Sequence, residues 1–283
     1  MAQMDSPQNS GPQWGDSYRL IASEKWKAKS AAMGRDVTEA IVEYAQPQPG
    51  MNVLDLASGT GEPAISLASR VGASGRVTAL DLSPELLEIA AERARQRGLA
   101  NFTTQQGDAQ HLPFGDETFD LATSRFGVMF FQECVQAMRE VRRVLKPGGR
   151  ACFVAWGPFE QPYWATTMGV VLKHVGGPLL TPGGPDPFRF AKLGSLSLVL
   201  RDAGFAEVQE ETRSVPWTWP GTPEEVWEQA RAVATPFLPM LKRVPAEKWD
   251  AINREVHEAI QPYVEGGSIK FGAVVVLASA AKT

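Results

Sequence analysis

The stretch that decides the fold is Val53-Leu54-Asp55-Leu56-Ala57-Ser58-Gly59-Thr60-Gly61-Glu62-Pro63. An apolar, strand-like segment leads into a small turn that contains two glycines, and a helix-like run follows from residue 64 to 70. Gly59 and Gly61 have no side chain, so the backbone N–H groups of the turn can approach a bound ligand closely. No Gly-Lys-Ser/Thr follows, which excludes a phosphate-binding P-loop, and the full G-x-G-x-x-G of a dinucleotide fold is absent.

A second acid follows the next strand-like segment. Asp81 lies about 20 residues after the glycine turn, the distance at which an acid reaches ribose hydroxyls in a nucleotide-binding βαβ unit. Ser83 can cap the next helix, and Pro84 suits its first position. The five expected strands of this region lie at 52–56, 76–80, 102–106, 119–123 and 151–156. Short apolar strands that alternate with helices predict an α/β fold, a parallel sheet with helices on both faces.

These motifs, in this order and spacing, resemble the core of the class I S-adenosylmethionine-dependent methyltransferases. The stretches 108–114 and 124–131 are similar to the small-molecule branch that includes the ubiquinone/menaquinone C-methyltransferases. The resemblance covers residues 36–156 and implies a Rossmann-like, seven-stranded, mostly parallel sheet that ends in a hairpin strand. The chain departs from the family at Ala57, where the family has its first glycine, and we expect this small side chain to leave cofactor binding intact.

The resemblance implies that S-adenosylmethionine is the cofactor, bound at the carboxyl ends of the strands, where ligands of open parallel sheets lie. Asp81 would accept both ribose hydroxyls, with Leu82 against the adenine, or would only cap the following helix. Asp108 would accept from the adenine amino group, or would be a solvated loop acid. The carbonyl of Ser124 would meet the methionine amine, and Asp55 would orient the turn and contact the ammonium through water. The expected cofactor-binding residues are Asp55, Ala57, Ser58, Gly59, Thr60, Gly61, Asp81, Leu82, Asp108, Ala109, Ser124, Arg125 and Phe126.

Composition restricts the partners. A net charge of −4 over 283 residues argues against a nucleic-acid partner held by a basic surface. The two cysteines, Cys134 and Cys152, are expected to be small core residues and cannot form a zinc set, so no metal is expected. Neither a signal-peptide pattern nor an apolar run of about 18 residues is evident, which predicts a cytoplasmic protein without a membrane span.

The chain is expected to divide into four parts. Residues 1–12 are polar and predicted to be disordered, 13–45 to form a helical lid, 46–156 the cofactor-binding core, and 157–283 a substrate cap with the remaining strands. A helix is expected at 163–175, and the last two strands at 205–215 and 272–280. A helix pair between these strands, from 223 to about 243 and from 246 to 264, is longer than a usual connection and predicts a cap over the substrate side. Six of the eight tryptophans lie at position 156 or beyond, which favours an apolar or aromatic substrate pocket. The sequence leaves the oligomeric state open.

The function expected is transfer of a methyl group to oxygen, carbon or nitrogen of a small, partly apolar molecule. The sulfonium is a good leaving group, so in-line approach and exclusion of water would supply most of the acceleration. His174 is the candidate base because histidine is the residue type most suited to proton transfer at physiological pH, with Tyr163 and Tyr18 as alternatives. We favour the reading in which His174 only meets the last carbonyls of its helix. The rivals are a cyclisation or rearrangement that retains the same cofactor, a nicotinamide-dependent oxidoreductase, and a non-catalytic binding protein.

Overall fold

The computed structural model describes residues 27–283. The expected disordered segment 1–12 lies outside these residues. So does the part of the expected lid before residue 27, which includes Trp14, Tyr18 and Trp26. The helices are α1 (Lys27–Met33), α2 (Arg35–Ala45), α3 (Ala64–Val71), α4 (Pro84–Gln96), α5 (Cys134–Val144), α6 (Pro162–Thr166), α7 (Met168–Val175), α8 (Ser195–Asp202), α9 (Pro223–Ala232), α10 (Leu238–Leu241) and α11 (Trp249–Ile260). The strands are β1 (Asn52–Leu56), β2 (Arg76–Asp81), β3 (Phe102–Gln106), β4 (Phe119–Arg125), β5 (Leu145–Trp156), β6 (Ala206–Trp219), β7 (Val264–Glu265) and β8 (Ser268–Ala281).

One sheet organises the molecule, with strand order β3-β2-β1-β4-β5-β8-β6. The strands β1 to β5 pair in parallel, and β8 runs antiparallel between β5 and β6. The mostly parallel α/β fold expected from the sequence is therefore confirmed. The expected strand count of seven is wrong, because the described residues form eight strands. The added strand is β7, whose two residues pair with the start of β8 across Gly266 and Gly267, both at positive φ as a tight hairpin turn requires.

The central strands are buried on both faces, as parallel strands covered by helices should be. Leu54 and Leu56 face one apolar cluster together with Met138 and Val141 of α5. Val53 faces a second cluster on the opposite side, to which α3 contributes Leu67 and other residues. Alternate residues of β1 thus pack against different helical layers, and the strand ends are held between them.

Strands β6 and β8 form a ribbon that extends past the rest of the sheet. The pairing of β5 with β8 ends at Trp156↔Val275, whereas β6 and β8 remain paired as far as Trp219↔Ile269. The sequence predicted shorter strands, at 205–215 and 272–280. Pro216 does not end β6 because this strand lies at the edge of the sheet, where a missing N–H breaks no ladder. The ribbon carries the inserted helices α9 to α11 on its connection.

Several expected helices are divided in the structure. The long N-terminal helix breaks at Gly34 into α1 and α2, and the helix expected at 163–175 breaks at Thr167, whose φ and ψ are −108° and −88°. The helix expected from Pro223 ends at Ala232 and is followed by a short 3-10 turn and α10. Thr222 and Glu225 form a capping box at the start of α9, which accounts for its well-defined N-terminus.

Candidate functional site

The glycine turn after β1 adopts the left-handed backbone that its sequence allows. The φ angles are 51° at Ala57, 53° at Gly59 and 110° at Gly61. The N–H of Ser58 donates to the carbonyl of Leu80 at 3.0 Å, which joins the turn to the end of β2. The Ser58 hydroxyl donates back to the Asp55 carbonyl at 2.7 Å. A Cβ added at Gly59 would meet nothing within 4 Å, so this part of the turn faces open space.

The methyl group of Ala57 lies against Gly127. A Cβ added at Gly127 would come within 2.5 Å of the Ala57 Cβ and 2.6 Å of the Ser124 Oγ. The absence of a side chain at Gly127 therefore accommodates the alanine that stands in place of the family's first glycine. The departure at Ala57 was visible in the sequence, but the role of Gly127 was not, because it lies 70 positions later and the resemblance of the stretch 124–131 does not indicate its contact with Ala57.

Asp81 binds the glycine turn through its carboxylate. Its Oδ2 accepts from the N–H of Gly59 at 2.8 Å, and its Oδ1 accepts from the N–H of Ser83 at 2.9 Å. Burial raises the pKa of Asp81, partly opposed by these backbone hydrogen bonds. The helix cap is formed separately, by the Ser83 hydroxyl, which accepts from the Leu86 N–H at 3.3 Å. Leu82 remains 64% exposed beside the carboxylate.

Asp55 is a fully buried carboxylate at the end of β1. Its Oδ1 accepts from the hydroxyl of Thr123 on β4 at 2.6 Å, and its Oδ2 has no hydrogen-bond partner among residues 27–283. Burial raises the pKa of Asp55 to about 7, against the opposing effect of the Thr123 hydrogen bond. The site thus holds a carboxyl group with one oxygen unsatisfied and a charge that is easily gained or lost near neutrality. Thr123 was not among the expected site residues.

The last two residues of β4, Ser124 and Arg125, contact different parts of the fold, and Phe126 follows them. The buried Ser124 donates its hydroxyl to the carbonyl of Leu56 at 2.8 Å, joining the ends of β4 and β1. Arg125 donates through Nη1 to the Gly34 carbonyl at 3.3 Å and the Thr38 hydroxyl at 3.1 Å, so it contacts the joint between α1 and α2. Phe126 has a φ of 58°, a rare conformation for a bulky residue.

Asp108 and Ala109 follow β3, at the edge of the sheet. The Asp108 carboxylate accepts from the backbone N–H of Gln110 at 2.9 Å and from its side-chain amide at 3.0 Å. The Asp108 carbonyl accepts from the N–H of His111, which places His111 in this local turn. Ala109 is buried. The turn is well defined, yet no contact joins Asp108 to the glycine turn.

A group of aromatic side chains lies where β4 and β5 end, and we name it the aromatic wall. Phe126 stacks on Trp156 with ring centroids 4.3 Å apart and an 8° angle between the rings. Trp217 meets Trp156 edge-on at 5.0 Å, and Trp164 does so at 5.4 Å. The members of the wall are Phe126, Trp156, Tyr163, Trp164, Trp217 and Phe271. The projecting ribbon of β6 and β8 supplies Trp217 and Phe271, which explains why these residues reach the wall.

The remaining late tryptophans lie elsewhere. The Trp227 indole N–H donates to Asn253 at 2.8 Å, and the guanidinium of Arg231 lies over the rings of both Trp227 and Trp249. Trp219 is fully buried, near Lys29 of α1. The tryptophan-rich second half of the chain therefore serves both the aromatic wall and the packing of the inserted helices.

The candidate bases lie in buried or paired settings. His174 Nε2 is 2.6 Å from Glu255 Oε2, and the His174 carbonyl accepts from Lys248 at 3.1 Å, so this residue joins α7 to the α11 region. The structure places His174 near the end of α7, and no hydrogen bond joins its side chain to the glycine turn. The hydroxyl of Tyr163 is hydrogen-bonded to Gln229 at 3.2 Å, and complete burial raises the pKa of this phenol. Tyr18 lies outside the described residues.

The described part of the chain contains neither a metal-binding cluster nor a membrane-spanning helix. Within residues 27–283, no group of three or more His, Cys, Asp or Glu side chains is arranged to hold a metal ion. In the same part of the chain, no helix is long and apolar enough to cross a membrane.

Comparison with known proteins identifies relatives of the core. Residues 53–149 match the family model described as "Methyltransferase domain". A demethylmenaquinone methyltransferase of Listeria welshimeri is 35% identical over 128 residues, and the match covers 45% of this chain and 54% of that protein. The chain therefore spans about half the length of that relative.

Two further similarities extend over more of the chain. The ubiquinone/menaquinone biosynthesis C-methyltransferase UbiE of Rhizobium meliloti is 33% identical over 196 residues, which cover 63% of this chain and 74% of that protein. The crystal structure of YcgJ from Bacillus subtilis superposes with a TM-score of 0.57 at 24% identity, over 87% of this chain and 97% of that one. The latter similarity concerns the fold alone.

Proposed function

Because this chain belongs to the class I S-adenosylmethionine-dependent methyltransferases, we propose that it transfers a methyl group to oxygen, carbon or nitrogen of a small, partly apolar molecule. The observation that carries the proposal is the position of the glycine turn. Gly59 and Asp81 are joined at the carboxyl ends of β1 and β2, and the aromatic wall begins at Phe126, two residues after Ser124 at the end of β4. A polar cofactor site and an apolar acceptor site would thus be neighbours.

The residues present fit the proposed cofactor. Asp81 carries a carboxylate that is already oriented by two backbone N–H groups, and such a carboxylate can accept from a ribose diol. The unsatisfied, buried Oδ2 of Asp55 is suited to a cationic ammonium. Gly59 leaves open space for the close approach of a ligand. We assign the methionine and ribose part of the site to 57–61, and the adenine side to Leu82, Asp108 and Ala109.

Catalysis in this proposal depends mainly on position and on exclusion of water. The cofactor, when bound, supplies an electrophilic methyl group on a sulfonium. The chain contributes Ser124 and Leu56, whose hydrogen bond holds the strand ends together, and the aromatic wall, whose apolar faces exclude water from the acceptor. The raised pKa of Tyr163 argues against a role as base, and the contact of His174 with Glu255 supports a structural role in the cap.

We also propose a division of labour along the chain. The helices α9 to α11, inserted between β6 and β7, would form a cap over the acceptor, since they continue the ribbon that carries Trp217. Among the described residues, the lid would be limited to α1, because α2 is packed into the core through Val37 and Ile41, which are fully buried. Gly34 would be the joint between α1 and the fixed helix α2. The net charge of −4 supports a small-molecule acceptor over a nucleic acid.

The proposal is tested by incubating the protein with methyl-labelled S-adenosylmethionine and a panel of acceptors. The names of the two curated relatives make demethylmenaquinone-type quinols the first compounds to test, followed by phenols and hydrophobic amines. Label recovered in an acceptor, together with S-adenosylhomocysteine, would support methyl transfer. Consumption of a substrate without transfer of label, in the presence of bound cofactor, would favour the cyclisation or rearrangement alternative. Failure to bind the cofactor at all would contradict both.

A further inference from the structure

Arg93 contacts the cofactor turn from the helix behind it. Its Nη1 donates to the carbonyl oxygen of Thr60 at 2.9 Å and to the hydroxyl oxygen of Thr60 at 2.6 Å. Thr60 is the residue between the two left-handed glycines, Gly59 and Gly61. One guanidinium nitrogen therefore binds the backbone and the side chain of the central residue of the turn. This contact crosses 33 positions of sequence and belongs to none of the motifs that predicted the site.

Within the described part of the chain, the Arg93 guanidinium donates to two neutral oxygens, both of Thr60. Among residues 27–283 no carboxylate forms an ion pair with this guanidinium, although Glu62 lies close enough to raise its pKa. Glu62 instead pairs with Arg97 at 2.9 Å and accepts from the Ser66 hydroxyl at 2.7 Å. Burial lowers the pKa of Arg93 overall, so holding a charged guanidinium here has a desolvation cost. The hydrogen bonds to Thr60 offset that cost only if the turn keeps its observed conformation.

The same face of α4 supports the next residue of the turn. A Cβ added at Gly61 would lie 3.2 Å from the Cβ of Ala90, so the two backbones are in close contact. Ala90 and Arg93 are three positions apart on the helix and therefore face the same way. At the end of β2, in the same β2–α4 unit, Asp81 accepts from the N–H of Gly59. The three central residues of the turn are thus each held by one residue of this unit.

We propose that Arg93 is a positioning residue that holds the glycine turn ready for S-adenosylmethionine before the cofactor arrives. The inference rests on the proposed use of this turn as the cofactor site. When the cofactor binds, Asp81 is expected to accept from the ribose in addition to, or in place of, the Gly59 N–H. Arg93 contacts the turn from the side of α4 and keeps its hydrogen bonds to Thr60 in both states. A turn that is ordered in advance loses less conformational entropy when it binds, and this increases affinity.

The test measures cofactor affinity in matched variants by titration calorimetry with S-adenosylhomocysteine. Arg93→Met should raise the Kd about tenfold or more at unchanged stoichiometry, and Arg93→Lys should restore part of the affinity because it keeps one donor. Thr60→Val in the Arg93→Met background should add little, since the two residues act through one contact. The control is Arg95→Met, on the same helix, because Arg95 is exposed and pairs only with Glu92. This control should bind like the unmodified protein.

Hydrogen exchange separates positioning from general stabilisation. Loss of positioning should speed amide exchange at residues 58–61 in the unliganded Arg93→Met protein and leave the exchange of β1 and β4 unchanged. Equal acceleration of exchange throughout the sheet would contradict the proposal and make Arg93 a general stabilising residue. An unchanged Kd in a folded Arg93→Met variant would also contradict the proposal. If the unmodified protein binds no S-adenosylhomocysteine, the proposed function itself fails, and that result is distinct from a failure of the Arg93 assignment.

Discussion

At the scale of single residues, two acidic side chains near the glycine turn, the buried Asp55 and the partly buried Asp81, have different settings. Asp81 has both oxygens hydrogen-bonded to backbone N–H groups, whereas Asp55 has one oxygen unsatisfied. A carboxylate whose oxygens are already oriented is prepared to accept further donors. A buried carboxyl group with an unsatisfied oxygen instead favours its neutral form until a cation approaches. The two acids should therefore respond differently to substitution and to pH.

Replacement of Asp81 should weaken cofactor binding strongly. Asp81→Ala removes the charged acceptor for the ribose and also the partner of the Gly59 N–H. Charge-assisted hydrogen bonds contribute about 1.5–3 kcal/mol, so the Kd for S-adenosylhomocysteine should rise about tenfold to a hundredfold. Calorimetry on the folded variant measures this, with Glu88→Ala, an exposed change on the following helix, as the control. An unaltered Kd would remove Asp81 from the site.

Cofactor binding should depend on pH through Asp55. Burial raises the pKa of Asp55 to about 7, above the ordinary value near 4, so its neutral form stabilises the unliganded fold. That stabilisation is complete below about pH 4 and is lost as pH rises through about 7. A cationic ammonium favours the ionised form, so S-adenosylhomocysteine should bind more tightly at about pH 8 than at about pH 6. Calorimetry between about pH 6 and pH 8 should show this change in Kd in the natural protein and not in Asp55→Asn. The same pH dependence of Kd in both proteins would contradict the assignment of Asp55 to the ammonium.

At the scale of elements, the two N-terminal helices differ in how they are held. The helix α1 buries Met33 at its C-terminal end, and the rest of the helix is attached by an ion pair of partly exposed side chains, Lys29 to Glu225 at 2.5 Å. Such pairs contribute about 0–1 kcal/mol. The helix α2 buries Val37 and Ile41 completely. Gly34 separates the two helices, and its carbonyl accepts from Arg125, next to the cofactor residues. Local opening should therefore stop at Gly34.

Hydrogen exchange should distinguish α1 from α2. We expect fast exchange in α1 of the free protein, slower exchange when S-adenosylhomocysteine and an acceptor bind, and strong protection of α2 in both states. Lys29→Ala should speed exchange in α1 only, whereas the exposed change Glu43→Ala on α2 should have no effect on α1. Uniform protection of both helices in the free protein would refute a lid that ends at α1.

Replacement of His174 should be tolerated. His174 is hydrogen-bonded to Glu255 across the α7–α11 junction, which supports a packing role. His174→Ala should lower kcat by less than about a hundredfold, the low end of general-base contributions, and leave the pH profile of turnover unchanged. Glu255→Gln is the matched variant and should behave similarly. A loss of a thousandfold with an inflection removed near neutrality would instead make His174 a base.

At the scale of the whole molecule, ligand binding should stabilise the fold selectively. A ligand that binds only the folded state at 100 times its Kd stabilises it by about 2.7 kcal/mol. S-adenosylhomocysteine should therefore raise the thermal midpoint by several degrees, and NADH should not, because the turn lacks the glycine spacing of a dinucleotide site. Differential scanning calorimetry measures both. A shift with NADH alone would favour the oxidoreductase alternative.

The sequence by itself determined the parts of the fold that depend on neighbouring residues. Apolar strands, the positive φ of the glycines in the turn and the cap at Ser83 each follow from local backbone preference, so the parallel pairing of β1 to β5 was predictable. The acid at Asp81 was predictable because its distance from the turn is set by one βαβ unit. The two-residue strand β7 and the continuation of β6 through Pro216 were missed, since pairing partners rather than propensity decide them.

Only the tertiary structure decided the contacts that cross long stretches of chain. The fit of Ala57 against Gly127, the hydrogen bonds from Arg93 to Thr60 and the pairing of Thr123 with Asp55 join residues with no shared motif. The aromatic wall likewise requires β4, β5, α6 and the β6–β8 ribbon to meet at one place. Strand register and helix packing bring these groups together, and the local backbone preference of a single segment determines neither of them.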